Sequence, residues 1–215
     1  MTAEDDDSYA VLGALADPVR RRLYRHVAAA PQEVGRDAAA EATGVSRSLA
    51  AFHLDKLVEA GLLVVSYRRL SGRTGPGAGR PAKLYRRAEG EFAVSVPPRS
   101  YDTAGRLLAE TVEHAGLDLE LQAAARAAGA ADPEAAGSGA DLAEVLRARG
   151  YAPFWDGEVL RLRNCPFHAL AAEFPGLVCG MNLALLDGLA GEQWSPTMDA
   201  CAGGCCVSLT KNVRP

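Results

Sequence analysis

Residues 43–63 of the chain read TGVSRSLAAFHLDKLVEAGLL. This stretch predicts a turn, a helix, a stop and the start of a strand. Gly44 ends an alanine-rich segment, and Ser46 is suited to cap the helix, because its hydroxyl can accept a hydrogen bond from a free amide of the first turn. Gly61 stands where helices commonly end in a left-handed residue.

The predicted helix has two faces of different character. One is apolar at helical spacing and consists of Ala50, Leu54, Leu57 and Val58. The opposite face consists of Ser48, Leu49, Phe52, Lys56 and Glu59. An ordinary amphipathic core helix would have the same pattern, so the helix alone does not decide a function.

The segment after this helix predicts a β-hairpin with a basic loop. Residues 62–70 and 83–86 have strand character, and the loop between them contains SGRTGPGAGRP, without Asp or Glu. We expect Arg73 and Arg80 in this loop to reach phosphates or a narrow minor groove of DNA. The alternative is a solvated surface loop. A helix with a tight turn before it and a hairpin after it predicts a winged helix-turn-helix.

The same stretch resembles the recognition helix of the arsenic-repressor (ArsR) class of bacterial regulators. The SR…HL..L..AGL pattern of that class appears within residues 46–62, and LGALADPVRRRL at residues 12–23 resembles its opening segment. The resemblance implies double-stranded operator DNA as a partner. Together with the more polar face of the helix and the basic loop, the resemblance implies a set of DNA-contacting residues. These are Ser46, Arg47, Ser48, Leu49, Phe52, His53, Lys56, Arg73 and Arg80.

Charge is distributed unevenly along the 215 residues. Residues 8–88 hold fourteen Lys and Arg against six Asp and Glu, whereas residues 101–215 hold eight against fifteen. A basic N-terminal part suits phosphate neutralisation, and an acidic C-terminal part does not. The chain has no run of 18 apolar residues, and its start is acidic without an apolar core. We therefore expect no membrane span, no signal peptide and a cytoplasmic location.

These patterns predict an α+β chain with five parts. They are a disordered acidic tail (1–7), a winged helix-turn-helix domain (8–98), dimerisation helices (99–131), a linker (132–140) and a small α/β cofactor-binding domain (141–215). Helical apolar positions in 99–131 favour a homodimer that reads two half-sites, the alternative being packing onto the winged domain. Residues 92–96 predict a further strand, and Asp156-Gly157 predicts a hairpin.

All five cysteines lie in the last 51 residues: Cys165, Cys179, Cys201, Cys205 and Cys206. In a reducing cytosol such clustering indicates metal or redox chemistry more than structural disulfides. Cys205 and Cys206 would point to opposite sides if they began a strand, so we expect only one of them to bind the cofactor.

The C-terminal region resembles that of the Suf-type iron–sulfur repressors, which belong to the same winged-helix class and use three widely spaced cysteines. The resemblance covers about residues 10–210. It matches Cys165 and Cys179 to the first two family cysteines and Cys205 or Cys206 to the third, and it implies an iron–sulfur cluster. His168, three residues after Cys165, could instead complete a zinc site, so zinc is the alternative cofactor.

The sequence as a whole predicts a DNA-binding transcriptional regulator, a repressor that senses iron–sulfur or redox status through a cysteine-ligated cluster. A zinc-containing or small-ligand-responsive regulator, in which the cysteines could merely pack, is the alternative. A remote alternative is an enzyme with Cys165 as nucleophile and His168 as base. No oxyanion donors or orienting acid are recognisable in the sequence for that chemistry, so we predict no catalytic residues.

Overall fold

The computed structural model describes residues 3–69, 81–90, 92, 95–97, 99–133, 141–200 and 204–212. The chain divides into two compact units, Met1–Arg99 and Ser100–Pro215. Helices and two small antiparallel sheets give the predicted α+β fold. No helix among the described residues is both long enough and apolar enough to cross a membrane.

In the N-terminal unit, the residues that the structure describes form four helices and a three-stranded sheet. Its elements are α1 (Ala3–Ala16), α2 (Pro18–Ala29), β1 (Val34–Gly35), α3 (Arg36–Thr43), α4 (Arg47–Glu59), β2 (Leu63–Arg68) and β3 (Ala82–Arg87). The strand order is β1-β3-β2, and both neighbours are antiparallel to β3. The hairpin β2–β3 follows α4 directly, as the sequence predicted.

The ends of the N-terminal helices are fixed by their capping residues. Asp17 accepts hydrogen bonds from the amides of Val19 (2.8 Å) and Arg20 (2.9 Å) at the start of α2. Ser46 accepts from the amide of Leu49 (3.3 Å) at the start of α4. Gly61 follows α4 with φ +72°, a conformation that glycine adopts without steric cost. The predicted bounds of the central helix are therefore confirmed.

The core of this unit lies between the helices and the hairpin. α4 contributes the inner face that the sequence predicted, except that Val58 is only half-buried. The largest fully buried side chains of the cluster are Leu23, Leu54, Leu57, Leu63 and Tyr85.

Three details of the N-terminal unit differ from expectation. The predicted strand over 92–96 is wrong for its described residues, Phe92, Ser95 and Val96, which are not in a strand. Since β1 and β2 already occupy both edges of β3, the chain leaving β3 has no free edge beside it. β1 was not predicted, because two residues leave no pattern. α1 begins at Ala3, within the predicted acidic tail, and acidic residues favour the amide end of a helix.

The described residues of the C-terminal unit form five α-helices and a four-stranded sheet. Its elements are α5 (Tyr101–Ala115), α6 (Asp118–Ala130), α7 (Leu142–Ala148), β4 (Pro153–Asp156), β5 (Val159–Leu162), α8 (His168–Glu173), α9 (Pro175–Ala190), a 3-10 turn (Gly191–Gln193), β6 (Trp194–Met198) and β7 (Val207–Lys211). The sheet is antiparallel in the order β4-β5-β7-β6. The core between α7, α9 and the sheet contains Leu146, Leu160, Leu162, Leu186, Leu189 and Leu209.

The predicted Asp156-Gly157 hairpin is confirmed as the β4–β5 turn, with Gly157 at φ +62°. β6 was not predicted. Its sequence contains Pro196, which lacks an amide donor and is tolerated at the edge of a sheet, where β6 lies.

α6 packs tightly against α9. A Cβ placed on Gly188 would lie 2.8 Å from the amide nitrogen of Ala130, and closer still to the carbonyl oxygen of Arg126. A Cβ on Gly129 would meet the backbone of α9 in the same way. The side chain of Arg126 also pairs with Asp187 at 2.6 Å. Glycines thus let the two helix backbones touch, and α6 belongs to the C-terminal unit.

α5 and the outer side of α6 keep large apolar side chains in solvent. Tyr101, Leu107, Leu108 and Leu119 are all exposed in the single chain. Homodimerisation through residues 99–131 stays a prediction, and these four side chains are the apolar surface it would use.

Candidate cysteine pocket and DNA-binding face

One pocket of the C-terminal unit brings together the cysteines that the structure describes. It holds about 290 Å³ of space not filled by atoms, and it is lined by Cys165, His168, Ala171, Val178, Cys179, Asn182, Gly204, Cys205 and Cys206. We call this feature the cysteine pocket. The four cysteines are free thiols.

Three separate elements carry these cysteines. Cys165 follows β5, Cys179 lies in the second turn of α9, and the adjacent Cys205 and Cys206 precede β7. The amide of Cys205 donates to the carbonyl of Leu162 at 2.8 Å, which holds the segment before β7 against the end of β5. Sheet pairing therefore brings Cys205 to Cys165, although forty residues separate them.

The four thiols form two hydrogen-bonded pairs. Cys205 donates to Cys165, and Cys179 donates to Cys206. The bond from Cys205 is the main reason that the pKa of Cys165 lies below its ordinary value, since it outweighs the opposing effect of burial. Donation to Cys165, together with burial, raises the pKa of Cys205. Burial, followed by the bond to Cys206, raises the pKa of Cys179 to about 11.

The structure differs from our expectation for the adjacent cysteines. We expected only one of Cys205 and Cys206 to face the site, on the assumption that they begin a strand. β7 begins one residue later, at Val207, so strand alternation does not apply to them. Both line the cysteine pocket, each paired with a different partner. Cys201 lies outside the described residues.

Asn182 is a buried polar member of the pocket that sequence reasoning missed. Its side-chain amide donates to the sulfur of Cys205 at 3.3 Å, and its carbonyl oxygen accepts from the hydroxyl of Tyr151 at 2.5 Å. The only sequence signal was an asparagine inside the mostly apolar stretch from Leu177 to Leu189. Asn182 thus helps to fix the position of the Cys205 sulfur.

Other predicted neighbours of the thiols have different positions. His168 lines the pocket and is exposed. Arg161 and Arg163, which are close to Cys165 in sequence, are not among the lining residues. Arg161 pairs instead with Asp156 (2.8 Å) and Asp199 (2.9 Å), and the Arg163 guanidinium lies 3.8 Å from the ring centre of Phe154. Across the described part of the chain, no group of three or more His, Cys, Asp or Glu residues is placed to hold a metal ion.

The N-terminal unit presents the predicted outer face of α4 to solvent. Phe52 is 56% exposed, an unusual exposure for a phenylalanine in a well-packed unit. The exposed residues of the predicted contact set are Ser46, Arg47, Ser48, Leu49, Phe52 and Lys56. We call these six residues the outer face of α4.

His53 does not belong to the outer face. It is only 8% exposed, because it shares a side of the helix with Ala50, Leu54 and Leu57. Its ring packs edge-on to Phe52, with ring centres 5.2 Å apart. The structure therefore buries His53 against its neighbours, which is unfavourable for a DNA contact, and its place in the contact set stays a prediction.

The two cations of the outer face are held by exposed carboxylates. Arg47 lies 2.6 Å from Asp37 of α3, and Lys56 lies 2.6 Å from Glu59. Ion pairs in solvent contribute little stability, so either cation can exchange its carboxylate for a phosphate at small cost.

Residues 15–66 match the family model of a helix-turn-helix domain. The match covers α2, α3 and α4 and ends within β2, so it contains the outer face of α4. Neither a curated protein nor a solved structure matches the chain. The helix-turn-helix domain supports a DNA-binding transcriptional regulator, and thereby a regulator rather than an enzyme.

The hairpin that follows the helix-turn-helix domain is tied to α4 by one carboxylate. Asp55 accepts hydrogen bonds from Lys83 (2.6 Å) and from the hydroxyl of Tyr85 (2.7 Å), both on β3. Burial alone would raise the pKa of Asp55, but these two bonds outweigh it and hold the pKa below the ordinary value. The contact orients the hairpin on the recognition helix. Arg73 and Arg80, at the predicted tip, lie outside the described residues.

Replacing Asp55 with alanine should lower the free energy of unfolding by about 1–3 kcal/mol at pH 7, because it leaves Lys83 and Tyr85 without their partner. Since folding depresses the pKa of Asp55, its contribution is present above the unfolded pKa of about 3.9 and is lost as the pH falls through the folded value. Urea unfolding of wild type and Asp55→Ala at several pH values measures this difference.

The matched control for this change is Glu59→Ala, which removes an exposed carboxylate from the same helix and should alter stability by less than about 0.5 kcal/mol. A wild-type advantage over Asp55→Ala that is equally large at pH 7 and pH 3 would contradict the assignment.

Proposed function

We propose that this regulator is a repressor that senses iron–sulfur or redox status through a cluster held in the cysteine pocket. The observation that supports this most is the convergence of four cysteines, from three separate elements, on one pocket of the C-terminal unit. The helix-turn-helix domain supplies DNA binding, and the C-terminal unit supplies the signal. We place its action in the cytoplasm.

The residue types in the pocket support the proposal of an iron–sulfur cluster. Cysteine thiolates are the usual ligands of [2Fe–2S] and [4Fe–4S] clusters, which commonly take four of them. A multi-iron cluster receives its thiolates at different iron atoms, so ligands spread over a pocket wall in two pairs suit it. We assign Cys165 and Cys179 as two ligands and draw the others from Cys205 and Cys206. Both of the latter line the pocket, so a four-thiolate set is available.

A single zinc ion is the alternative, and His168 is the observation that favours it. A Cys3His site needs four donors within about 2.0–2.3 Å of one centre. His168 lines the same pocket as the cysteines and is exposed, so it could turn toward them.

The bound cluster would supply a redox-sensitive and labile group that joins β5, α9 and β7. The chain's own contribution is to hold the ligands, to donate a hydrogen bond from Asn182 to the sulfur of Cys205, and to transmit strain through packed helices. α9 carries Cys179 and touches α6 backbone to backbone at Gly129 and Gly188. A shift of Cys179 on cluster loss would therefore move α6.

We further propose that the protein binds its operator as a homodimer. Tyr101, Leu107 and Leu108 of α5 and Leu119 of α6 supply exposed apolar area for such an interface. Two recognition helices related by a two-fold axis read two half-sites, which is how small helix-turn-helix modules obtain specificity. If α6 moves with Cys179, the cofactor state changes this interface.

Metal and sulfide analysis tests the cofactor directly. Protein purified under anaerobic conditions should be brown, absorb in the visible range, and contain iron and acid-labile sulfide in comparable amounts. Colourless protein with zinc and no sulfide would favour the alternative. Metal-free protein would overturn both and would leave a regulator whose pocket binds another ligand or only packs.

On the DNA-binding side, we expect Phe52→Ala to change sequence preference with little effect on folding. Its ring is mostly exposed, so stability should fall by less than about 1 kcal/mol. A flat apolar ring at this position could contact thymine methyl groups. A preferred duplex would first be selected from a random library with the wild-type protein. The ratio of affinities for this duplex and for a scrambled duplex should fall about fivefold or more in Phe52→Ala.

Leu54→Ala is the matched control for Phe52→Ala, because Leu54 lies on the opposite side of α4 and is fully buried. It should cost about 2–5 kcal/mol of stability. If Phe52→Ala unfolded the domain and left sequence preference intact, Phe52 would be a core residue.

A further inference from the structure

The pairing of the thiols carries an inference that does not depend on a bound cluster. Four cysteines can pair in three ways. One pairing stands out, because Cys205 lies beside the end of β5, close to Cys165, and this leaves Cys179 and Cys206 as the second pair. In this pairing, each thiol has its partner on another element of the unit.

The backbone supports the same pairing. Cys205 is held beside the end of β5 by its amide bond to Leu162, and the carbonyl of Cys206 accepts from the amide of Asp199 at 2.8 Å. Asn182 holds the Cys205 sulfur by a hydrogen bond at 3.3 Å. These bonds fix the segment that carries the adjacent cysteines against the end of β5 and the residue that follows β6.

The pocket admits a small oxidant to the thiols. Cys205 is only 3% exposed, but Cys165, Cys179 and Cys206 are each partly exposed, and all four line the same open space. Hydrogen peroxide is only slightly larger than water and can reach thiols that are partly exposed.

We propose that, without a cofactor, the cysteine pocket is a reversible dithiol redox centre that forms two disulfides, Cys165–Cys205 and Cys179–Cys206. In each pair, one sulfur attacks an oxygen of peroxide, the O–O bond breaks, and a sulfenic acid and one water result. The partner sulfur then displaces the sulfenic oxygen as a second water and forms the S–S bond. Each disulfide consumes two thiols and one peroxide, and two electrons pass from sulfur to oxygen.

The two disulfides would join the same three elements as the proposed cluster. One would link the segments beyond β5 and before β7, and the other would link α9 to that second segment. The oxidised protein would have no thiolates for iron until a dithiol reductant restored them. The pocket would therefore register peroxide as a second signal, separate from cluster supply.

The test uses the full chain, freed of metal by chelation under anaerobic conditions and carrying Cys201→Ser. Peroxide should remove four reactive thiols per monomer, and dithiothreitol should restore them. Because Cys205 and Cys206 are adjacent, peptide mapping cannot separate their linkages, so two matched variants do this. In Cys206→Ser, Cys165 should become protected from alkylation while Cys179 stays reactive. In Cys205→Ser, Cys179 should become protected while Cys165 stays reactive.

Three results would overturn the proposal. They are the opposite protection pattern, the same protection pattern in both variants, and disulfides formed between two chains. If a variant misfolds, the parent protein still tests whether disulfides form, because mass spectrometry should show the loss of four thiols. Since the protein contains no metal, a failure here leaves the proposed cluster untouched. A failure to find iron and sulfide likewise leaves this proposal standing.

Discussion

Replacing Cys165 or Cys179 with serine should both empty the cysteine pocket of cofactor and loosen the C-terminal unit. Mutation of a residue that only orients a metal ligand typically lowers metal affinity by about 10–100-fold. Mutation of a ligand itself should therefore lower the affinity by more than that. The proposed cluster would tie β5, α9 and β7 together, and its binding free energy would add to the folding free energy. Iron, sulfide and thermal unfolding of anaerobically purified variants measure both effects.

Cys201→Ser is the control, because it makes the same chemical change in the same terminal segment at a residue outside the predicted ligand set. Full metal occupancy in both Cys165→Ser and Cys179→Ser would refute the site. If Cys205 and Cys206 both serve as ligands, each single change should lower occupancy. Loss of metal in His168→Ala, without sulfide in the parent protein, would shift the assignment to a zinc site.

The second large effect concerns Gly188. A methyl group at this position would meet the Ala130 amide nitrogen at 2.8 Å, and the Arg126 carbonyl oxygen even more closely. Both contacts are backbone, so no side chain can turn away to relieve them. Overpacking usually costs 1–3 kcal/mol and occasionally more, and here α6 and α9 must separate. We expect Gly188→Ala to destabilise the C-terminal unit by about 3 kcal/mol or more.

Gly105→Ala is the matched control for Gly188→Ala. It is the same substitution within α5, where an added Cβ would meet no atom within 4 Å. Alanine there should leave stability unchanged or raise it by up to about 1 kcal/mol, because it is the better helix former. Urea unfolding of both variants decides the point, and equal effects would mean that α6 and α9 do not pack as closely as described. Gly188→Ala should also weaken cofactor retention, since α9 carries Cys179.

The local signals in the sequence predicted the helix-turn-helix domain well. Asp17-Pro18, Ser46 and Gly61 act within one helical turn, so their effects could be predicted without tertiary information. The rotation of α4 was predicted less well. His53 lies at the border of the apolar stripe, and only packing against its neighbours places it inside.

The cysteine pocket was predicted in composition but not in arrangement. Clustering of cysteines indicated a common site, and their pairing could not be predicted because it depends on the register of β5 with β7 and on where β7 begins. A strand that began at Cys205 would direct the two side chains to opposite sides, whereas β7 begins two residues later, at Val207, and both cysteines line the pocket. Asn182 escaped notice for the same reason, since its role depends on Tyr151 and Cys205, which are distant in sequence.

The most direct test of the account is the DNA affinity of one preparation before and after its cofactor is removed. Duplexes would be enriched from a random library by each form, and binding would be measured by fluorescence anisotropy at fixed salt, because salt alone changes DNA affinity strongly. Coupling between a sensor site and a binding site is typically about 5–150-fold, and we expect a change of about tenfold or more between the two forms. Equal affinity of the cofactor-containing and cofactor-free protein, or binding of neither form to any duplex, would contradict the account.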